Sequence, residues 1–144
     1  MTLTRMRDER GSAAVEAAVG VPAFVLFVGL IIFGGRTATT HSAVESAAAD
    51  AARTASIART ASEAKQEAKA AAQASLANQD IHCLSVTVSV YVSDFAKTVG
   101  ETGAVTATVE CLLDLADLSV PGVPGSRLVK ATGTSPLDTF RERG

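Results

Sequence analysis

Two sets of residues in this chain have types and spacing suited to chemistry. The first is Glu16 with the Gly11–Ser12 peptide bond five residues before it. Glu16 stands at the edge of an apolar run that holds no other charge until Arg36. A carboxylate on a lipid-embedded helix is costly, and such residues default to functional roles. The bland account is that Glu16 lies near an interface and reaches toward headgroups. The sharper account uses the spacing. If the chain is cut between Gly11 and Ser12, Ser12 gains an α-ammonium and Glu16 becomes the fifth residue. The new helix start then carries unpaired N–H groups and a positive charge, about one turn from the acid. That acid can pair with its own amine or with a neighbouring subunit's, giving an inserted helix a polar partner and an axial register. The second set is Cys83 and Cys111.

The element that must position Glu16 is a helix. Residues 17–35 carry no charge, and 19 residues span about 28 Å as a helix, close to a bilayer's hydrocarbon thickness. The first half is light (Ala17, Ala18, Gly20, Ala23). The second is strongly apolar, from Phe24 through Phe33. A buried helix of a soluble protein is the alternative, but only 4% of the chain is aromatic and much of its apolar content is alanine. So few large residues could hardly cover it. Arg5, Arg7 and Arg10 precede the run and only Arg36 follows closely, which points the N-terminus into the cytoplasm and the rest outside. Two rivals stand beside this reading. A cleaved secretory signal needs a shorter apolar region and a better cut site than "GGRTATTHSA". A plain uncleaved signal anchor explains neither Glu16 nor the glycine before "SAAVE".

The basic leader, Gly11, Glu16 and Pro22 together resemble the TadE/TadG-like proteins, pilin-like components of tight-adherence (Flp-type) pilus systems. "Ala51-Ala52-Arg53-Thr54-Ala55" resembles the alanine-arginine stretch that often follows the span in that family. The resemblance implies a type IV prepilin-like N-terminus, cut by a membrane-embedded prepilin peptidase. It makes Gly11 the residue before the cut, Ser12 the new N-terminus, Glu16 the assembly acid and Pro22 the helix proline. It also implies a membrane location and other pilin-like subunits of the Tad machinery as partners. One position departs from the pattern: Ala17 stands where an aromatic often follows the glutamate, which brings the chain nearer the minor TadE-like components than the major Flp pilins. By itself Pro22 removes one helix donor, and a kink or local melting is expected there.

Residues 37–79 contain no proline or glycine and are rich in alanine, so they read as one helix. Val44, Ala48, Ala51, Ala55 and Ala58 recur at helical spacing and make a thin stripe suited to close helix contact. Gly34-Gly35 either interrupts the span from this segment or is traversed by one helix. Asn78 is a plausible helix end. Glu63 and Glu67 have lysines only at i+2, which is not a facing position; Lys65 and Lys69 are free to seek acids on another subunit.

Two strands follow. In 81–92, Leu84, Val86, Val88, Val90 and Val92 alternate with Ser85, Thr87, Ser89 and Tyr91. In 104–113, Val105, Ala107, Val109 and Cys111 share a face. The turn-rich "SDFAKTVGETG" between them makes a long-looped antiparallel hairpin. Pairing Cys83 directly opposite Cys111 centres the turn near Lys97 but puts the valine rows on opposite faces. Either a bulge near Cys83 repairs this or Cys83 lies just before the ladder begins. Outside the cytoplasm two cysteines that can meet usually oxidise, so a Cys83–Cys111 disulfide is expected. Residues 127–135 offer a third strand with Leu128, Val129 and Ala131, and "PLDTFRERG" reads as a mobile tail.

Other chemistries find little support. A net charge of −2 without a basic stripe gives no nucleic-acid surface. Two cysteines and two histidines are too few for a common structural zinc site, and Asp114 with Asp117 supply too few oxygens for calcium. His82 beside Cys83 points to the opposite strand face, so a reactive Cys-His pair is disfavoured. No nucleophile-base-acid group or phosphate-cradling loop is visible, so neither an enzyme nor a cofactor is expected. The fold expected is α+β: a long N-terminal transmembrane and extended helix, then a small disulfide-stapled antiparallel β region. Its divisions are a cytoplasmic leader (1–11), a transmembrane helix (12–35), an alanine-rich extracytoplasmic helix (36–79), the β region (80–135) and a flexible tail (136–144). The expected function is a minor pilin-like component of a tight-adherence pilus or a related secretion assembly. The alternative is an uncleaved, single-pass extracellular binding or sensor module.

Overall fold

A computed structural model describes residues 9–114 and 125–140, with side chains from residue 13 onward. One helix, α1 (Glu9–Ile57), runs for 49 residues, or about 73 Å. It passes unbroken through Pro22 and through Gly34-Gly35. The local melting expected at Pro22 does not occur. The proline removes a single ladder bond, the one to the Ala18 carbonyl, and intact turns on either side carry the helix across.

The single helix expected over 37–79 is corrected to two. α1 ends at Ile57, and α2 (Ala61–Asn78) begins after a three-residue connection. No glycine or proline makes the break; a cap does. Thr60 adopts an extended backbone, and its hydroxyl accepts the Glu63 N–H at 3.1 Å. Glu63 reaches back, its Oε2 accepting the Arg59 N–H at 2.9 Å. This is a T-x-x-E capping pattern displaced by one residue, and it supplies partners for donors at the new helix start. α2 ends at Asn78, as its type foretold, although the left-handed backbone falls at Asp80, with φ of 56°.

α2 folds back along α1. Ala64, Ala68, Ala72 and Leu76, one per turn, are buried on it. They belong to one core with Val44, Ala47, Ala48, Ala51, Ala52 and Ala55 of α1. Small side chains let the backbones approach closely, so the thin alanine stripe is a packed interface. Ser75 also donates to Asp50 across the pair at 2.8 Å.

The sheet is an antiparallel meander of β1 (Ser85–Tyr91), β2 (Ala104–Asp114) and β3 (Ser126–Pro136), in the order β1-β2-β3. The third strand expected at 127–135 is therefore present. β1 pairs with β2 as Val86↔Cys111, Val88↔Val109 and Val90↔Ala107. This register places the valine rows on the same face, and of the two sequence alternatives it is Cys83 lying before the ladder that the chain adopts. Leu84, expected among the valines, is instead 61% exposed, because the strand alternation begins only at Ser85. Val105, Ala107, Val109 and Cys111 of β2 are fully buried beneath the helices.

The start of the tail, expected to be mobile, is tied down. Leu137 is buried, and its N–H donates to the Gly103 carbonyl at 2.9 Å. The Gly100 N–H donates to Thr139 at 2.8 Å. One apolar side chain and two backbone bonds hold 137–139 against the β1–β2 connection. Residues 141–144, the two Pro-Gly turns begun by Pro121 and Pro124, and Asp117 lie at least partly outside the described residues.

β3 runs in the same sense as α1: Gly133 sits under Ala48, and Ser135 Oγ meets Ser56 Oγ at 3.0 Å. The packed part therefore has two ends. One, near Arg36, holds the α2–β1 connector and the end of β2. The other holds the α1–α2 turn, the β1–β2 connection and residues 137–140.

Candidate functional site

Among the described residues, nothing buries the first half of α1. From Ala13 to Thr39 every residue is exposed or half-exposed, and Thr40 is the first buried one. An 18-residue window here has a mean hydropathy of 2.5 and none of it is buried. A core helix of a soluble protein would hide such a surface; here Phe24, Leu26, Phe27, Leu30 and Ile31 all lie open. By length and composition this is a helix able to cross a membrane.

The structure brings Gly11, Ser12, Glu16 and Pro22 onto this one free helical segment. The Gly11–Ser12 bond lies in helical backbone within the first turn of α1. Ser12 and Glu16 are four residues apart and so share a helix face. Glu16 is exposed and stands about 6 Å along the axis from Ser12. Among the described residues, none is a hydrogen-bond or ion-pair partner of the Glu16 carboxylate, which leaves the acid open to the chain's own N-terminus or to another molecule.

The second candidate pair is joined. Cys83 and Cys111 form a disulfide, with Cα atoms 5.4 Å apart. Cys111 is fully buried on the inner face of β2. The bond ties the connector after α2 to the central strand, so it staples helix hairpin to sheet. His82 is exposed, its Nε2 lying 3.8 Å from Asp80 Oδ1. Among the described residues no group of His, Cys, Asp and Glu is arranged to hold a metal.

Two features escaped the sequence reading. Asp94 lies in the first turn of a short 3-10 helix (Ser93–Ala96) inside the β1–β2 connection, next to the buried Phe95. Its Oδ2 accepts the Ala104 N–H and a Lys97 Nζ donor, both at 3.0 Å. The Ala104 bond, and then Lys97, hold its carboxyl below the ordinary carboxylate range. The "SDFAK" run is a recognisable local cap, an acid at the start of a turn with a lysine three residues on. The other feature is Gly133, which the pattern of a β-strand leaves unmarked.

A cavity of about 390 Å³ opens at the end of the packed part nearest the apolar segment, lined by Arg36, Thr39, Asp80, His82, Leu113 and Asp114 among others. A neighbour of about 320 Å³ lies between α2 and β1 and shares the Asp80–His82 wall.

No curated protein and no solved structure matches the chain significantly. A family model does match, and its span begins at the glycine of the candidate cut and ends in the alanine-arginine stretch where α1 is packed: residues 11–53 are similar to the TadE-like protein family.

Proposed function

We propose that this chain is a minor pilin-like component of a tight-adherence pilus or a related secretion assembly. Its leader is removed after Gly11 by a prepilin peptidase, and it joins other pilin-like subunits through the first half of α1. One coincidence carries the reading. The TadE-like match covers Gly11, Ser12, Glu16 and Pro22, all four lie on the first half of α1, and Glu16 and Pro22 are exposed among the described residues. The arginines at positions 5, 7 and 10 favour a cytoplasmic N-terminus and an extracytoplasmic packed part. The disulfide accords with that side of the membrane.

The geometry supports an axial role for the acid. α1 is one unbroken helix from the candidate cut to the packed alanines, so the depth at which Glu16 pairs with a neighbouring amine sets the height of the whole packed part. The test is mass spectrometry of the native membrane fraction. A mature chain beginning at Ser12 is expected, and a bulky residue in place of Gly11 should block processing. Glu16→Ala should leave cutting largely intact and impair incorporation. An intact N-terminus in cells with an active prepilin peptidase would instead favour an uncleaved, membrane-anchored binding or sensor module.

A further inference from the structure

β1 is an edge strand without a guard. Among the described residues β2 is its only strand neighbour, so the backbone N–H and C=O groups along its other side face no strand. Such an edge is a template for further pairing, and proteins usually blunt it with charge, proline or a bulge. The sequence of β1, SVTVSVY, has no charge and no proline, and its register with β2 runs unbroken from Ser85 to Tyr91. The opposite edge, β3, carries Arg127 and Lys130. Val86, Val88 and Val90 are only half-buried, although they sit on the face that the helices cover.

The helix beside that edge is charged. Gln73 and Leu76 of α2 line the cavity of about 320 Å³ together with Val86. Lys69 and Lys65 lie one and two turns before Gln73, so they continue its side of the helix, and both are exposed. Neither ammonium has an ion-pair or hydrogen-bond partner among the described residues. β1 runs in the sense of α1, and α2 runs against it. Four helical residues advance about 6 Å and two strand residues about 6.8 Å. With Gln73 beside Val86, Lys69 therefore stands roughly abreast of Val88, and Lys65 of Val90.

We propose that the β1 edge takes an added strand from a different protein, an extended segment with an acid-x-acid pair whose carboxylates meet Lys69 and Lys65. Alternate side chains of such a strand point to the helix side about 6.8 Å apart, which matches the lysine spacing. A second copy of this chain does not fit. Two β1 edges paired about a two-fold axis would bring both lysine rows to one seam, like charge against like. The chain also contains no acid-x-acid pair at any position. Backbone bonds supply the affinity in this mode of recognition, and the lysines select the strand. The proposal rests on neither leader cleavage nor the pairing of Glu16.

The test uses the full chain in detergent micelles and a fluorescently labelled peptide, acetyl-VTETETV-amide, with binding read by anisotropy. Saturable binding is expected. Glutamine in place of both peptide glutamates should weaken it about fivefold, the effect of two exposed ion pairs. Proline in place of the central peptide threonine should abolish it, because the added strand can no longer pair. Lys65→Gln combined with Lys69→Gln should bring the acidic peptide down to the level of the glutamine peptide. Both positions are exposed, so the variant should keep the fold, checked by helix content and the intact disulfide. Hydrogen exchange of the complex should show protection gained in β1 and not in β3. Absence of binding overturns the proposal, as does a glutamine or proline peptide that binds as well as the acidic one, an unchanged affinity in the double variant, or protection gained at β3 instead. A chain that self-associates with β1 already protected, and excludes the peptide, assigns the edge to a second copy and also overturns it. None of these outcomes bears on whether the mature chain begins at Ser12, so this proposal and the pilin-like reading fail separately.

Discussion

Gly133 of β3 lies directly beneath the backbone of α1 at Ala48. A Cβ built at Gly133 would stand 2.7 Å from the Ala49 nitrogen and closer still to the Ala48 carbonyl. The obstruction is helix backbone, so no side chain can swing away. Helix and sheet meet there with nothing between them, in a core otherwise built of alanine and valine. Gly133→Ala should destabilise the fold by about 3 kcal/mol, at or above the upper end of ordinary overpacking. Thermal unfolding of the full chain in detergent would read this as a lowered Tm. A Tm within one degree of the parent would mean that the two layers are not in contact at that point.

The disulfide should matter more than its size suggests. Cys83 and Cys111 are 28 residues apart in sequence, and closing a loop of that length restricts the unfolded chain by roughly 3–4 kcal/mol in the chain-entropy account. Cys83→Ala should lose most of that. Cys111→Ala should lose at least as much, because Cys111 is fully buried and its removal also leaves a small void. Chemical denaturation of each variant against the parent checks both, and reduction of the parent should reproduce the Cys83→Ala value.

How far the sequence foretold these relationships depends on the kind of interaction. The apolar helix with its lone acid, the cysteine pairing and the three strands were legible, because charge, hydropathy and two-residue alternation are local patterns. The strand register was legible only as two alternatives, since a one-residue choice turns on where the ladder starts, and that start is set by the disulfide strap. The helix break at residues 58–60 was missed. Composition favoured helix throughout, and the signal lay in the single pair Thr60 and Glu63. Gly133 was silent because its reason is a contact with a residue 85 positions away in the chain. Asp94 was read as part of a loop, although its spacing to Lys97 carried the cue. The assembly residues differ again. Their helix is legible, but their partners are other molecules, so the chain's own contacts are silent on them.

The cap at the helix break should be worth measuring on its own. Thr60→Ala removes the acceptor for the Glu63 N–H and should cost about 1 kcal/mol. Thr60→Ser should cost much less, because it keeps the oxygen. Without the cap the chain gains freedom to extend α1 into one longer helix, in keeping with its alanine content. The measurement is the denaturation midpoint, with helix content by circular dichroism read beside it. If Thr60→Ala leaves the midpoint unchanged, tertiary packing of the alanine faces sets the break.

The Asp94 carboxylate gives the β1–β2 connection a dependence on acid. Its folded-state affinity for a proton is lowered, chiefly by the Ala104 N–H and next by Lys97. A group whose pKa is depressed on folding stabilises the fold above its unfolded value, here about 3.8, and that contribution fades as pH falls through the lower folded value. Protonation would weaken both bonds and release the start of β2 from the short 3-10 helix. Amide exchange at Ala104 should therefore show less protection, relative to a central β2 amide such as Val109, at pH 3 than at pH 6. Asp94→Asn should show the reduced protection at both pH values, since the amide loses the charge that both donors favour. If Asp94→Asn keeps the same pH dependence as the parent, another carboxylate governs the loop.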